Sequence, residues 1–284
     1  MGSNFGLAAD FTNAVATAAG PKANPRLASL VESLTRHLHE FCKENSITAD
    51  EFAMAIDFFN WSGRMSDDKR NEGNLLANVL GLESLVDDIT YKLANDATTV
   101  PTVLGPFYRK NAPKRKMGES IVFGIEHGDH TWMHGKVIDS KTGEPLKDAI
   151  IDIWETAPNG KYDVQDPDQV DMNLRGVYTT GADGIYELYC LRPTTYSIPV
   201  DGPAGQLLQM LDRHTMRPAH IHVLVSAPGY KPIITELFDR KDPHVYDDAV
   251  FAVKESLIVD FLPRKNDSKA QFELEYNFRL AKSA

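Results

Sequence analysis

The sequence predicts a mainly β chain: an antiparallel β-sandwich preceded by an N-terminal α-helical domain that covers it. Three observations carry that expectation. From Pro25 to about residue 96 the apolar residues recur at helical spacing. From Trp132 onward they recur every second residue, in short runs rich in β-branched and aromatic side chains. Between those runs fall turn-forming pairs: Thr142-Gly143, Asn159-Gly160, Asp183-Gly184 and Pro228-Gly229.

The 284 residues suffice for one large domain, or for a core domain with a smaller helical one. With 42% hydrophobic and 25% charged residues, the composition is that of an ordinary globular protein. A formal net charge of −10 argues against nucleic acid as a partner and gives no support for an anionic membrane surface. No apolar run approaches the roughly 20 residues a bilayer span requires. The two cysteines, Cys42 and Cys190, form neither a metal-binding spacing nor a disulfide framework, so a reducing, cytoplasmic location is expected. Residues 1–24 are rich in Ala and Gly without a basic start and an apolar stretch, so no secretory signal is expected.

Taken in order, residues 1–24 are expected as a flexible arm and residues 25–100 as a helical domain. Asn24 and Pro25 read as cap and first position of a helix carrying Leu27, Leu30, Val31, Leu34, Leu38 and Phe41. Thr48 and Glu51 form a capping box for a second helix with Phe52, Ile56 and Phe59. A third helix is expected to start at Ser66 and Asp67 and to run through Leu75, Leu76, Val79, Leu80, Leu85 and Ile89. These apolar faces are too broad for a self-contained unit, so they should cover the next domain, a second subunit, or both. Residues 101–284 are expected as the β-sandwich domain. It is entered through a Pro- and Gly-broken linker whose Val103, Leu104, Phe107 and Tyr108 should be buried or line a pocket. Strands are expected at 132–138, 149–154, 184–191, 220–226, 233–238, 255–261 and 271–280. The chain shows no internal repeat and no glycine-rich phosphate-binding loop.

The chemistry concentrates in residues 217–226. His220 and His222 lie two apart in a strand, on one face, with Cα atoms about 6.5–7 Å apart. Imidazoles so spaced can converge on one metal ion, although two such histidines are often polar residues on a half-wet face. Arg217, just before the strand, would add a fixed positive charge; its plainer role is an ion pair with a carboxylate such as Asp212. Tyr162 follows the Asn159-Gly160 turn and Tyr196 follows a strand end, both in loops, where functional residues collect but aromatic side chains also simply cap cores.

Four stretches in this order, LGPFY (104–108), WETAPNGKYD (154–163), RPTTYSIPVDGPAGQLL (192–208) and RPAHIHVLVSAPGY (217–230), resemble the intradiol catechol dioxygenase family over residues 25–280. Within it the chain looks most like hydroxyquinol 1,2-dioxygenases, then catechol 1,2-dioxygenases. The resemblance implies a catalytic β-sandwich holding one non-haem Fe(III) per subunit through Tyr162, Tyr196, His220 and His222. Phenolate is a hard anionic donor that favours ferric over ferrous iron, unlike the two-His-one-carboxylate sets of Fe(II) oxygenases. It implies a small aromatic diol or triol and O2 as substrates, with the ring cut between its two hydroxylated carbons to a muconate or maleylacetate-type diacid. Tyr196 would leave the metal and take up a phenolic proton, with His222 opposite it, while Arg217 stabilises developing negative charge. Glu236 stands where many relatives carry Gln, and pairing with Arg217 is the role open to it.

By the same resemblance the pocket draws on Leu80, Glu83, Val103, Gly105, Pro106, Phe107, Ile198, Pro199, Val200 and Val250. Glu83 is expected to accept a hydrogen bond from the third hydroxyl of hydroxyquinol. The resemblance further implies a homodimer through the N-terminal helices, around a trapped lipid in many relatives. Two rivals stay open: a Zn or Fe(II) site combining the histidines with Asp152 or Glu155, and a non-catalytic β-sandwich binding module suggested by residues 135–154 alone.

Overall fold

The capping chemistry of the N-terminal residues sets the first helices. In the computed structural model, which describes residues 10–94, 97–124 and 127–283, Asn24 is extended and accepts a hydrogen bond from Leu27 N at 3.0 Å. It thereby caps a helix whose first residue is Pro25. Helix α1 spans Phe11–Ala16, α2 Pro25–Glu44 and α3 Ala49–Arg64. Thr48 and Glu51 form the reciprocal box at the start of α3: Thr48 N donates to Glu51 Oε2 at 2.8 Å, and Glu51 N to Thr48 Oγ1 at 3.3 Å. Residues 1–9 of the expected arm lie outside the described residues. The remainder holds α1, which docks on α2 by stacking Phe11 on His39, ring centroids 5.6 Å apart, and through Lys43 Nζ to Thr12 Oγ1 at 2.8 Å. The chain divides into two compact units, one ending at Phe59 and one starting at Asn60.

In the second unit the expected third helix is two. Helix α4 spans Glu72–Val79 and α5 Leu82–Ala94. Asp67 does not start a helix; it accepts from Lys69 N and Arg70 N in a local turn, and Asn71 is the true cap, accepting from Asn74 N at 2.9 Å. The break between the helices falls at Leu80 and Gly81, where Gly81 takes φ +70°.

The strands follow as β1 His130–Asp139, β2 Ile150–Trp154, β3 Arg175–Thr179, β4 Ile185–Leu191 and β5 Tyr196–Ser197, then helix α6 Pro203–Met210. After it come β6 Met216–Arg217, β7 His220–Ser226, β8 Ile233–Asp239, β9 Ile258–Val259, β10 Leu262–Pro263, β11 Phe272–Glu275 and β12 Phe278–Leu280. One sheet orders β10-β11-β1-β12, with β4 also on β1; the other orders β3-β2-β7-β8-β9. The pairs β1–β4, β10–β11, β2–β3, β2–β7 and β7–β8 are antiparallel, while β1 takes β11 and β12 in parallel, as β8 takes β9. Both sheets feed one core, with Met133, Val137, Leu188 and Phe278 from the first and Ile151, Ile153, Ile221 and Val223 from the second. The strand expected at 255–261 is mostly a 3-10 turn, Glu255–Leu257, before the two-residue β9. The run expected at 271–280 breaks at Tyr276 and Asn277. There Gly135 of β1 passes so close to the Tyr276 carbonyl that a Cβ would sit 1.8 Å from its oxygen.

Strand β7 is central, and this positions the site. Its odd residues, Ile221 and Val223, face the core. On the other face Trp154 of β2, His222 of β7 and Glu236 of β8 stand side by side in register. No helix among the described residues is long and apolar enough to cross a membrane.

Candidate metal centre

His220 and His222 sit on the same face of β7 as the alternation demands, and both are buried. Their Nε2 atoms are 3.2 Å apart. His220 Nδ1 lies 2.7 Å from the Pro218 carbonyl, which can only accept, so the proton sits on Nδ1 and Nε2 keeps its lone pair. His222 Nδ1 has no hydrogen-bond partner; the ring is oriented instead by stacking on Trp154, with centroids 4.8 Å apart and planes 5° from parallel. Burial, reinforced by the nearby Arg217, pushes both imidazole pKa values well down and leaves both rings neutral.

Two phenols complete the cluster. Tyr162 and Tyr196 are buried, with ring centroids 5.9 Å apart and planes at 90°. Tyr196 lies 5.4 Å from the His220 ring and Tyr162 6.3 Å from the His222 ring. Each phenol lies within electrostatic reach of the other, and Arg217 opposes the burial of both. Burial raises both phenol pKa values. Tyr162 is fixed by its loop: its N–H donates to Gln165 Oε1 at 3.0 Å, and next to it Asp163 is clamped by Arg175 and Arg109. Gly160 makes that loop possible. It takes φ +75°, and a Cβ there would lie 2.9 Å from Tyr196 Cβ. Tyr196 is set by the pairing of β5 with β6, which puts it opposite Arg217.

Arg217 is buried and does not pair with Asp212, which is exposed. Its Nε and Nη2 donate to the two oxygens of Asp248 at 3.0 and 3.1 Å, and its Nη1 donates to Glu236 Oε1 at 2.9 Å. Glu236 Oε1 is also 3.3 Å from His220 Nε2 and 3.5 Å from His222 Nε2. Burial raises its pKa to about 7 against the opposing pull of Arg217. Neither carboxylate of the rival metal set reaches the histidines by contact: Asp152 accepts from the Tyr108 hydroxyl at 3.2 Å, and Glu155 accepts from Leu191 N at 2.8 Å. Among the described residues it is Glu236 that groups with the two histidines.

Of the expected pocket residues, Gly105 and Phe107 are tied directly to the donors. A Cβ on Gly105 would lie 3.2 Å from His222 Cε1, and the Phe107 ring is 5.1 Å from that of Tyr162. Val103, Ile198 and Val250 are buried, and the Pro106 carbonyl accepts from Asn71 N. Leu80 and Val200 are 56% and 47% exposed, and Pro199 backs on to Gly205 of α6. Glu83 is not a solvated helix residue. Its Oε1 accepts from Leu104 N at 3.0 Å, and in the amide orientation that satisfies Asn78, that side chain donates to Oε2. Glu83 thus braces the loop that carries Gly105. A cavity of about 590 Å³ beside Arg213, His214 and Phe251 reaches Asp248 but includes none of the four donors in its lining.

Sequence reasoning missed Asp248, Asp242 and Trp154. Asp242 ties the starts of β5 and β7 to the loop after β8 by accepting from the Thr195 hydroxyl, from Ala219 N at 2.9 Å and from His244 N at 2.8 Å. No local spacing links these residues to the histidines; only the fold does.

The donor set suits a hard trivalent ion. Two buried, neutral imidazoles bring their Nε2 atoms to 3.2 Å of one another, and beside them are two buried phenols whose raised pKa values a cation would reverse. Comparison with known proteins agrees with the chemistry. A family model described as "Dioxygenase" matches residues 103–282, and one described as "Catechol dioxygenase N terminus" matches residues 24–98. The chain is 43% identical to the intradiol ring-cleavage dioxygenase prcA of Aspergillus niger, over 99% of this chain and 90% of that one. It is 42% identical to a catechol 1,2-dioxygenase of Candida albicans, over 95% of this chain and 91% of that one. Among solved structures, hydroxyquinol 1,2-dioxygenase from Pseudomonas putida matches with a TM-score of 0.83 and 36% identity, covering 96% of this chain and 97% of that one. A sandwich strand bearing paired histidines, two buried loop tyrosines beside them and relatives of this kind along the whole chain lead to one assignment: the protein belongs to the intradiol ring-cleavage dioxygenases.

Proposed function

We propose that Tyr162, Tyr196, His220 and His222 hold one non-haem Fe(III) per chain, and that the enzyme cleaves hydroxyquinol between its two adjacent hydroxylated carbons to a maleylacetate-type diacid. The observation that carries this is the convergence of two neutral Nε2 atoms, 3.2 Å apart, beside two buried phenols. Ferric iron held there would supply what no side chain can, the withdrawal of electron density from the substrate ring that opens it to O2. The remaining work falls to the protein. Tyr196 Oη takes one phenolic proton of the substrate. Arg217, held by Asp248, keeps a fixed positive charge beside Tyr196 and stabilises the negative charge that develops on the ring. Tyr162 and His220 keep their places, the first through its braced loop and the second through Pro218. Phe107 and Val103 keep the site apolar, while Gly105 leaves room beside His222.

Iron-loaded protein should show a broad tyrosinate-to-iron band in the visible, and it should consume O2 with hydroxyquinol. An iron-replete protein without that band would overturn the donor assignment. Catechol, yielding cis,cis-muconate, is the second reading, and one observation favours it: both oxygens of Glu83 are already engaged, by Leu104 N and by Asn78. Each oxygen keeps a second lone pair, so a third hydroxyl can still be accepted. Losing that bond costs about 1–3 kcal/mol, which is about 10- to 100-fold in discrimination. Glu83→Leu should therefore erase any preference for the triol; an unchanged ratio of kcat/KM for the two substrates assigns Glu83 to bracing the loop alone.

The exposed apolar stripes of α2 and α3 support a homodimer through these helices, with an acyl chain covering what the partner does not. Two free cysteines, Cys42 exposed and Cys190 buried, fit a cytoplasmic site of action.

A further inference from the structure

We propose that His214, His244 and Asp247 form a second metal site, for a divalent transition cation of the zinc type, apart from the buried centre and independent of the reading given to it. His214 lies in the loop that enters β6; His244 and Asp247 lie in the loop that follows β8. His214 Nε2 stands 3.5 Å from Asp247 Oδ2, and His244 Nδ1 stands 3.0 Å from Asp247 Oδ1. The two rings lie against each other, with centroids 5.3 Å apart and planes at 38°. No two of the three groups hold their donor atoms more than 4.8 Å apart. A four-coordinate ion with bonds of about 2.0–2.2 Å needs its donors about 3.3–3.6 Å apart, so a small inward turn of the side chains closes the shell. Two imidazoles with one carboxylate suit zinc, cobalt or nickel rather than magnesium or calcium.

The surroundings favour an ion there. The turn that carries two of the donors is preset: His244 N donates to Asp242 at 2.8 Å, and Asp247 N donates to the His244 carbonyl at 3.1 Å. His214 and Asp247 are half exposed, so both side chains have room to turn. His214 and Asp247 line the cavity of about 590 Å³, which leaves a fourth position open to water. Asp212 and Glu255 line it too, whereas the Arg213 guanidinium is already engaged by the carbonyls of Val79 and Ala249, at 2.9 Å each. One feature opposes binding. His214 Nδ1 accepts from Met216 N at 3.2 Å, so in the neutral ring the proton sits on Nε2. An ion at Nε2 shifts that proton to Nδ1 and breaks the hydrogen bond, which costs about 1 kcal/mol, little beside the binding energy of a zinc site. Arg217 lies in β6, and Asp248, which meets it with two hydrogen bonds, directly follows Asp247. The ion therefore staples together the two segments that grip Arg217, already joined by Ala249 N donating to the Met216 carbonyl at 3.1 Å.

The test titrates the iron-loaded full-length enzyme with Zn(II) alone in a calorimeter and records the visible band alongside. His244→Gln and Asp247→Asn each remove one donor; His37→Gln, an exposed histidine of α2, is the control. Melting without zinc establishes that each variant folds. The wild type and the control should take up one zinc per chain beyond the iron, with the band unchanged. Their melting temperature should rise with zinc, as binding to the folded state requires, and Mg(II) should give no such rise. His244→Gln and Asp247→Asn should bind zinc about tenfold or more weakly and lose the rise at the same zinc concentration. Equal zinc binding in all four proteins would assign the uptake to scattered surface histidines and overturn the proposal. A wild type that takes up no zinc overturns it as well, and leaves the reading of the buried centre intact. Zinc that bleaches the visible band has entered that centre instead, which also overturns the second site.

Discussion

Arg217 is held by three hydrogen bonds to two carboxylates, and that geometry belongs to a planar fork rather than to a point charge. Arg217→Lys should keep the positive charge but lose its aim. Steady-state kinetics should show kcat/KM falling by about 100-fold, the scale of a lost preorganised electrostatic contact, while the visible band of bound iron stays in place. A second residue-scale expectation concerns Glu155, fully buried beside Trp154. Burial raises its pKa to about 8, against the single hydrogen bond from Leu191 N that opposes it. The folded state therefore holds this proton more tightly than the unfolded state does. The associated stability is complete below the unfolded value of 4.5 and is lost progressively as pH rises to about 8. Glu155→Gln keeps the acceptor for Leu191 N and cannot ionise. Denaturant melts should show the variant gaining on the wild type by about 4 kcal/mol at pH 8 and by less than about 1 kcal/mol at pH 5. Equal stability profiles across that range would sink the assignment.

Loops, more than strands, decide how well the donors meet. The segment 103–107 is pinned at both ends, by Glu83 on Leu104 N and by Asn71 N on the Pro106 carbonyl, and between them Gly105 adopts φ +74° against His222. Gly105→Ala adds left-handed strain of about 1 kcal/mol and a methyl group 3.2 Å from His222 Cε1. Thermal melting should fall by only a few degrees, while kcat/KM falls by about tenfold or more, because small displacements in a site are costly. A loss of activity no larger than the loss of stability implies would remove the loop from the site. The same elements show what a sequence can and cannot disclose. The histidine pair is legible because its spacing is local and strand alternation fixes its facing. The caps at Asn24 and Thr48 are legible for the same reason. Asp248 stands 31 positions from Arg217 and Asp152 lies two strands from Tyr108, so neither partner could be read without the fold. The third helix was misplaced because Asp67 and Asn71 are both good caps, and only the second is followed by a helix. Strand β3 and helix α6 escaped notice because each is short and carries a glycine.

At the scale of the whole chain, the two compact units differ in how they treat apolar surface. The second unit buries a continuous core from both sheets and contains Tyr162, Tyr196, His220 and His222, the four residues proposed to hold the metal. Helix α2 of the first unit buries no residue at all: Leu27, Leu30, Val31, Leu34, Leu38 and Phe41 are 47–59% exposed. An apolar stripe of this length is rare on a monomer's surface, and a second copy presenting the same stripe is a self-complementary cover for it. Light scattering should therefore give twice the 31.6 kDa of one chain. Leu30→Glu with Leu34→Glu places two carboxylates within the stripe, where pairing would bury like charges against their counterparts; this should yield a single-chain mass. The doubly substituted protein should still bind iron and show the visible band, since no donor lies in α2. A wild type that scatters as one chain would leave the stripe to an acyl chain alone, and organic extraction followed by mass spectrometry would then have to recover that lipid. Failure to find either would mean that α2 meets solvent bare, which its sequence, apolar at every third or fourth position, gives no physical reason to expect.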